Sequence, residues 1–505
     1  MTGRLFAAVL LLSAMLACRG TPAPARPTPP PHSAPSTGSQ AALAQLGQRI
    51  TTLLADPALG AGVWGVEARA LTTGDTLVSV NPHLLLMPAS TAKTFTLAAT
   101  AAALGWDYRF ETRAIPVGTI KDGVLDGDLL VVGSGDPSVG DWDGSAATMF
   151  SSWTTQLKQL GITTIGGRIV GNDDAFADEG LGAGWMWDDM AYGYSAPTSG
   201  LQFNEGTAHI QIDPGAAAGE PAVLSLDPPH ARVPVVNRVV TGATGSATRL
   251  ALGALPRTPG ATLTGSIGLD SARQVREVSV GNPTLYFANA VRSALIANGI
   301  DVFGGAVDAD DLVDPPVPGP QHPVIRWQSA PLSTLADTLM KRSQNMYAET
   351  FLRTLGIATT RVGTADAGLG ALRNALAAWG VPASEVQLAD GSGLSRYDLV
   401  TADATVAVLA HVYSDAGLRG PFIASLPVAG TAGTLANRLK GTAADGVVRA
   451  KTGSFTNAHA VAGFTTTADG EPVAFAIIAN NYGVPGAAID RATDAVMLAL
   501  TTFRR

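Results

Sequence analysis

Apolar residues recur at helical intervals from Ala41 to Leu54, and the pattern then changes. Val63 to Val80 alternates around Thr72-Thr73-Gly74-Asp75, which predicts a β-hairpin. Pro88 and Gly105 bracket an alanine-rich run, Thr94 to Leu104, that predicts a buried helix. Between about Arg113 and Pro320 the texture is one of short β-like runs separated by Gly, Asp and Pro turns. Asp128 to Val132, Arg168 to Gly171 and Ala261 to Ile267 are examples. Helical spacing returns over Leu332 to Leu355 and Ala365 to Trp379. Strand patterns follow at Val447 to Lys451, Ala460 to Thr465 and Val473 to Ala479, before a last helix from Ile489 to Phe503. No repeat of fixed period is present. The pattern predicts an α/β fold in which 41–112 and 321–505 form one discontinuous domain. A β-rich inserted region of two subdomains, 113–320, splits it.

Composition narrows the class. The chain has 505 residues, 46% hydrophobic and 15% charged, enough for large packed cores in about three domains at ~150 residues each. That excludes a wholly disordered or coiled-coil protein. With 33 Lys plus Arg against 41 Asp plus Glu, the net charge of -8 argues against nucleic-acid binding, which needs a basic face. The seven histidines are scattered, with no HExxH pair or Cys/His cluster, so a dedicated zinc site is not expected.

The one cysteine, Cys18, excludes an intramolecular disulfide. It follows Arg4 and the apolar run Leu5 to Ala17, the layout of a secretory signal over 1–18, too short to span a bilayer unaided. A cysteine in that place resembles a bacterial lipoprotein cleavage site, although Met15 and Leu16 depart from its usual residues. A plain signal peptide cut nearby is the alternative. Residues 19–40, with Pro29-Pro30-Pro31 and no large apolar side chain, read as a tether. The expectation is an exported protein of the periplasm or cell envelope, touching a membrane only through a lipid on Cys18.

Three short motifs carry chemistry: Ser90-Thr91-Ala92-Lys93, Ser343-Gln344-Asn345 and Lys451-Thr452-Gly453. Ser90/Lys93 is the only S-x-x-K and 451–453 the only K-T-G, whereas S-x-N also occurs at Ser79-Val80-Asn81. On a helix, positions three apart share a face, so Lys93 reaches the Ser90 hydroxyl. A desolvated lysine is neutral enough to take that proton, and the helix N-terminus favours the negative charge that develops. Ser343 and Asn345, at a turn between helices, suit relaying a proton and holding a substrate amide. Lys451 to Gly453 fits a strand edge on which an extended peptide pairs. The Thr452 hydroxyl and Lys451 charge suit a terminal carboxylate, and Gly453 allows close approach. The N–H of Ser454, with that of Ser90, would form an oxyanion hole. Taken singly, Ser90 reads as a helix cap and Ser343/Asn345 as turn residues; the three motifs in order favour chemistry.

This ordered set resembles that of penicillin-binding proteins and β-lactamases. The likeness extends to Gly127-Asp128-Leu129, Gly133-Ser134-Gly135-Asp136-Pro137, Asp188 to Pro197, Lys341 to Glu349 and Asp390-Gly391-Ser392-Gly393-Leu394-Ser395-Arg396. With them the chain resembles the D-alanyl-D-alanine carboxypeptidase/endopeptidase family, the class C low-molecular-mass penicillin-binding proteins. The resemblance implies a transpeptidase-like domain of helices around an antiparallel sheet. It also implies an acyl-enzyme on Ser90, peptidoglycan stem peptides as substrates and β-lactams as covalent inhibitors. Gln344 departs from the commoner Asp or Asn, and Gly200 from Ala. Trp185, Trp187, Asp189, Tyr194 and Arg396 read equally as a packed loop or as a pocket for a peptide side chain. The segment 133–137 lacks the Gly-Lys-Ser/Thr of a phosphate loop and reads as a turn. A β-lactamase using the same residues and a non-catalytic penicillin sensor are the alternatives. A Ser-His-Asp esterase is disfavoured because no G-x-S-x-G elbow is present.

Overall fold

The segment Pro472–Asn480 carries no charge and is apolar at both odd and even positions, so a strand made from it must be covered on both faces. In the computed structural model, which describes residues 37–255 and 260–505, it is the central strand of a five-stranded antiparallel sheet. The spatial order is Arg449–Phe455, Ala458–Thr466, Pro472–Asn480, Val63–Ala70, Thr76–Val80. Ala474, Ala476 and Ile478 enter a core with Phe95 and Leu97 of helix Lys93–Leu104 and Phe351 of helix Asn345–Thr360. Val473, Phe475, Ile477 and Ala479 enter a second core with Leu46 and Ile50 of helix Thr37–Leu54 and Val496 and Leu500 of helix Gly486–Thr501. Each buried Val, Ile or Phe contributes about 1.5–3 kcal/mol, more than the ~1–2 kcal/mol that ordering its backbone costs. The fold is α/β, with helices on both faces of an antiparallel sheet.

The hairpin forms around its expected turn; of the three late strands the last two form with slightly wider bounds, and the first is shifted from the expected 447–451 to Arg449–Phe455. The first helix begins at Thr37, inside the expected tether, because docking of Leu46 and Ile50 stabilises a helix that its Gly and Ser residues disfavour. Residues 1–36, with the expected signal segment, Cys18 and most of the tether, lie outside the described residues. Among the described residues no helix is long and apolar enough to cross a membrane.

The helical spacing over Leu332 to Leu355 resolves into two helices, Leu332–Lys341 and Asn345–Thr360. Between them Ser343 takes a left-handed φ of 61°. Residues 111–328 build a separate sheet from Asp301–Val302, Thr164–Ile165, Val124–Gly133, Glu111–Lys121 and Ile325–Gln328, with Ile169–Asn172 and Ala306–Asp308 alongside. Two three-stranded sheets accompany it. The chain enters on Glu111–Lys121 and leaves on its antiparallel neighbour Ile325–Gln328, so both crossings lie side by side. The β texture hid two helices here, Ser145–Gln159 and Pro283–Ala297. The first is rich in poor helix formers, yet Ala146, Met149, Phe150, Trp153 and Leu157 share one buried face.

Candidate active site

Ser90 lies in the 3-10 turn Ala89–Ala92 that leads into helix Lys93–Leu104. Three residues per turn eclipse positions i and i+3, which sets the Lys93 side chain over Ser90. Lys93 Nζ is 2.9 Å from Ser90 Oγ. The turn is held in place from outside. The Asn480 side chain accepts from Met87 N at 2.7 Å and donates to Met87 O at 3.1 Å, clamping the turn to the central strand. Ala89 adopts φ 45°, a left-handed conformation that costs a non-glycine residue about 1–2 kcal/mol.

Lys93 is fully buried. Besides Ser90 it meets Asn345 Oδ1 and the Ser392 carbonyl, each at 2.6 Å. Burial brings its pKa down to about 7, against the carboxylates of Asp390, Glu349 and Asp398, which pull it up. Two of its three neighbours are obligate acceptors, so a neutral Lys93 donates both N–H groups to them and turns its lone pair to the Ser90 hydroxyl. Asn345 is engaged on both sides, since its Nδ2 donates to Tyr194 O at 2.7 Å, and one N–H of that amide is left for a substrate.

Lys451, on the edge strand Arg449–Phe455, is also fully buried, with Nζ 2.7 Å from Ser343 Oγ. Burial and the nearby Lys93 hold its pKa well below the usual lysine range. Sequence spacing alone places Lys451 against a substrate carboxylate; in the folded chain its nearest hydroxyl is that of Ser343. Thr452 Oγ1 donates to Thr434 Oγ1 at 2.6 Å. Gly453 packs backbone against backbone: a Cβ there would lie 2.6 Å from Ser90 N and 2.9 Å from Pro88 O. Ser454 follows, exposed, on the same edge strand.

Ser90, Lys93, Ser343, Asn345, Lys451 and Gly453 thus come together from four elements. Gln344, the departure at the second motif, donates to Glu205 Oε2 at 2.5 Å beside a two-pronged Arg342–Glu205 pair, which fastens this turn to the inserted region. Three further groups lie outside the three motifs: the Ser392 carbonyl and Tyr194 O, in stretches marked only by the family likeness, and the Asn480 clamp, which nothing in the sequence marked. The aromatic residues divide. Trp185 is buried and donates to Asp390 Oδ2 at 2.8 Å, as a packed loop would, whereas Trp187 is exposed. Tyr194 stacks on Tyr192 at 5.3 Å and donates to Asp189 Oδ1 at 2.7 Å. The Arg396 guanidinium lies 3.6 Å from the centre of the Phe455 ring, one residue beyond Ser454. The 133–137 segment is a turn, in which Asp136 Oδ1 accepts from Ser138 N and Oγ. A cavity of about 700 Å³ in the inserted region, near Asp173 and Trp187, includes none of the motif residues.

This geometry agrees with the comparisons to known proteins. Residues 46–502 match the model of the D-Ala-D-Ala carboxypeptidase 3 (S13) family. The chain is 37% identical over 474 residues to a D-alanyl-D-alanine carboxypeptidase of Actinomadura sp., covering 88% of this chain and 83% of that one. It is 28% identical over 427 residues to the D-alanyl-D-alanine carboxypeptidase DacB of Haemophilus influenzae, covering 83% and 85%. The crystal structure of penicillin binding protein 4 from Haemophilus influenzae superposes with a TM-score of 0.77 at 26% identity, covering 88% of this chain and 98% of that one. With more than half its length matched by the family model, the chain belongs to the D-Ala-D-Ala carboxypeptidase 3 (S13) family.

Proposed function

We propose that this protein is an exported serine D-Ala-D-Ala carboxypeptidase of peptidoglycan stem peptides, working through an acyl-enzyme on Ser90. The observation that carries the reading is the buried Lys93 amine, with two directions taken by the Asn345 and Ser392 oxygens and the third on Ser90 Oγ. Ser90 Oγ attacks the carbonyl carbon of the penultimate D-alanine while Lys93 takes its proton. The N–H groups of Ser90 and Ser454 receive the oxyanion, a reading supported by the close approach of Gly453 to Ser90 N. The C–N bond then breaks, the proton that Lys93 took passes by way of Ser343 to the leaving amine, and D-alanine departs. Water cleaves the ester and returns a proton to Ser90. No step calls on a cofactor.

The same proposal reads 41–112 and 321–505 as the catalytic domain and 113–320 as its insertion, supported by the sheet that joins residues 63–80 to 449–480. The apolar run before Cys18 supports export with a lipid anchor there. The Haemophilus penicillin binding protein 4 has been crystallised with a β-lactam, which supports covalent inhibition of this protein by the same class. Purified protein given a pentapeptide ending in D-Ala-D-Ala should release D-alanine, and labelled penicillin should leave a long-lived adduct. Rapid turnover of that adduct would indicate a β-lactamase, and absent D-alanine release a sensor.

The pH profile follows from Lys93. The base must be neutral, so acylation should climb with pH and reach half its plateau near pH 7, at the pKa of Lys93, about 7. The check is the rate of penicillin labelling from about pH 5 to about pH 9. A flat profile removes Lys93 as the base.

Lys451 is read as the partner of the substrate carboxylate, which on arrival would restore the ammonium that burial disfavours. Lys451→Ala should slow acylation by penicillin about tenfold to a hundredfold, from the ~1.5–3 kcal/mol of a charge-assisted bond. An analogue with its carboxylate amidated should lose much less, in a double cycle of variant against carboxylate. Equal losses for both compounds would place Lys451 elsewhere in the mechanism.

A further inference from the structure

Beside Lys93 runs a loop, 388–398, none of whose side chains is hydrogen-bonded to Ser90 Oγ. Its centre is Asp390, fully buried. One oxygen, Oδ1, accepts from Gly393 N at 2.6 Å and Ser392 N at 3.1 Å. The other, Oδ2, accepts from Ser395 N at 2.8 Å, Trp185 Nε1 at 2.8 Å and Ser392 Oγ at 3.1 Å. Five donors gathered on one carboxylate curl residues 391–395 around it. That curl sends the Ser392 carbonyl outward to Lys93 Nζ, 2.6 Å away. Gly393, at φ 80°, completes the fit, since a Cβ there would strike Ala89 O at 1.9 Å. Loop and nucleophile turn are therefore locked backbone to backbone.

We propose that Asp390 is the positioning residue for the general base: its carboxylate fixes the Ser392 carbonyl on Lys93 and supplies a negative charge that Lys93 senses. The inference rests on the function proposed above and names how its base is held.

The charged groups facing Lys93 come from three elements. Helix Asn345–Thr360 supplies Glu349, whose Oε1 accepts from Gly391 N and Ser392 N, each at 2.9 Å, and whose Oε2 pairs with Arg353 at 3.3 Å. The edge strand supplies Lys451, and the loop supplies Asp390 and Asp398. Helix Lys93–Leu104 carries no other charge. Asp398 is buried beside Asp390, with Oδ1 accepting from Ala389 N at 2.7 Å and Oδ2 given no donor. Burial and the neighbouring Asp390 push its pKa well up, whereas the five donors gathered on Asp390 suit an ionised carboxylate.

The sign follows. A negative neighbour stabilises the protonated amine, so removing the Asp390 charge lets the Lys93 pKa fall further, and the rising limb of acylation moves to lower pH. Loss of acceptors to several buried N–H groups also loosens the Ser392 carbonyl. Asp390→Asn should therefore lower the plateau rate of penicillin acylation about tenfold to a hundredfold and shift the limb down by about half a pH unit or more. Asp398→Asn should move the limb less, because Asp398 is the last of the three carboxylates in its effect on Lys93 and its raised pKa already favours the uncharged acid.

The experiment measures acylation rate against pH for wild type and both variants, with thermal melts to establish folding. A larger limb shift in Asp390→Asn than in Asp398→Asn is the expected result, since a merely structural role lowers the rate at every pH without moving the limb. An unmoved limb in folded Asp390→Asn overturns the inference. So does a limb that moves as far or further in Asp398→Asn. Where Asp390→Asn does not fold, Asp390→Glu, which keeps the charge, replaces it: a limb moved down in folded Asp390→Glu overturns the inference. Wild type that takes no penicillin on Ser90 overturns the proposed function instead.

Discussion

Ser90→Ala should abolish covalent labelling by penicillin and D-alanine release while leaving the melting temperature nearly unchanged. The variant removes one hydroxyl and no packing. Lys93 keeps Asn345 Oδ1 and the Ser392 carbonyl as partners, so its amine is not orphaned in the core. A lost bond of this kind is worth ~0.5–1.5 kcal/mol, and burial already favours a neutral amine that tolerates two partners. The catalytic loss is of another order. Without the nucleophile no acyl-enzyme forms, and removal of such a group costs about 10⁴-fold or more. Intact-protein mass after incubation with penicillin reads the adduct, and peptide mapping locates it. An adduct on another serine of the variant would end the assignment of Ser90.

Gly453→Ala should be nearly as damaging to acylation although it adds only a methyl group and removes no polar atom. The new Cβ would lie 2.6 Å from Ser90 N, 2.9 Å from Pro88 O and 3.0 Å from Thr91 N. These are backbone atoms, and no rotamer change relieves the clash, so the edge strand must back away from the nucleophile turn. A displacement of about 1 Å at a reacting centre costs ~100-fold in rate. Overpacking of this kind lowers stability by ~1–3 kcal/mol, so the folded variant is available for measurement. Labelling rate and melting temperature separate the two effects. An acylation rate within a few-fold of wild type would mean that the Gly453 approach does not hold Ser90 against Ser454.

The two ends of the chain's chemistry were unequally legible. Ser90 and Lys93 are three residues apart, and a single helical or 3-10 turn brings such a pair together whatever surrounds it. Their contact is local, so the sequence determined it. The strand Pro472–Asn480 was equally plain, because an uncharged run apolar on both faces has one stable place, the middle of a covered sheet. Gly453 announced a close approach, but not to what. Helix Ser145–Gln159 was missed because propensity and burial disagree there, and burial prevails only once a core exists. The stretches holding Ser392 and Tyr194 were marked by the family likeness, but not the roles of their carbonyls, because a backbone oxygen is carried by every residue type and only the folded chain selects one. Lys451 shows the same limit. Its sequence neighbours point to a carboxylate, while its fully buried amine sits on Ser343, 108 positions away. A neutral, desolvated Lys93 was expected of a base, but how far burial shifts either lysine was beyond reach for the same reason. Desolvation and the fields of Asp390, Glu349 and Asp398 depend on distances that tertiary structure sets, whereas the sequence determined only which groups were available to meet.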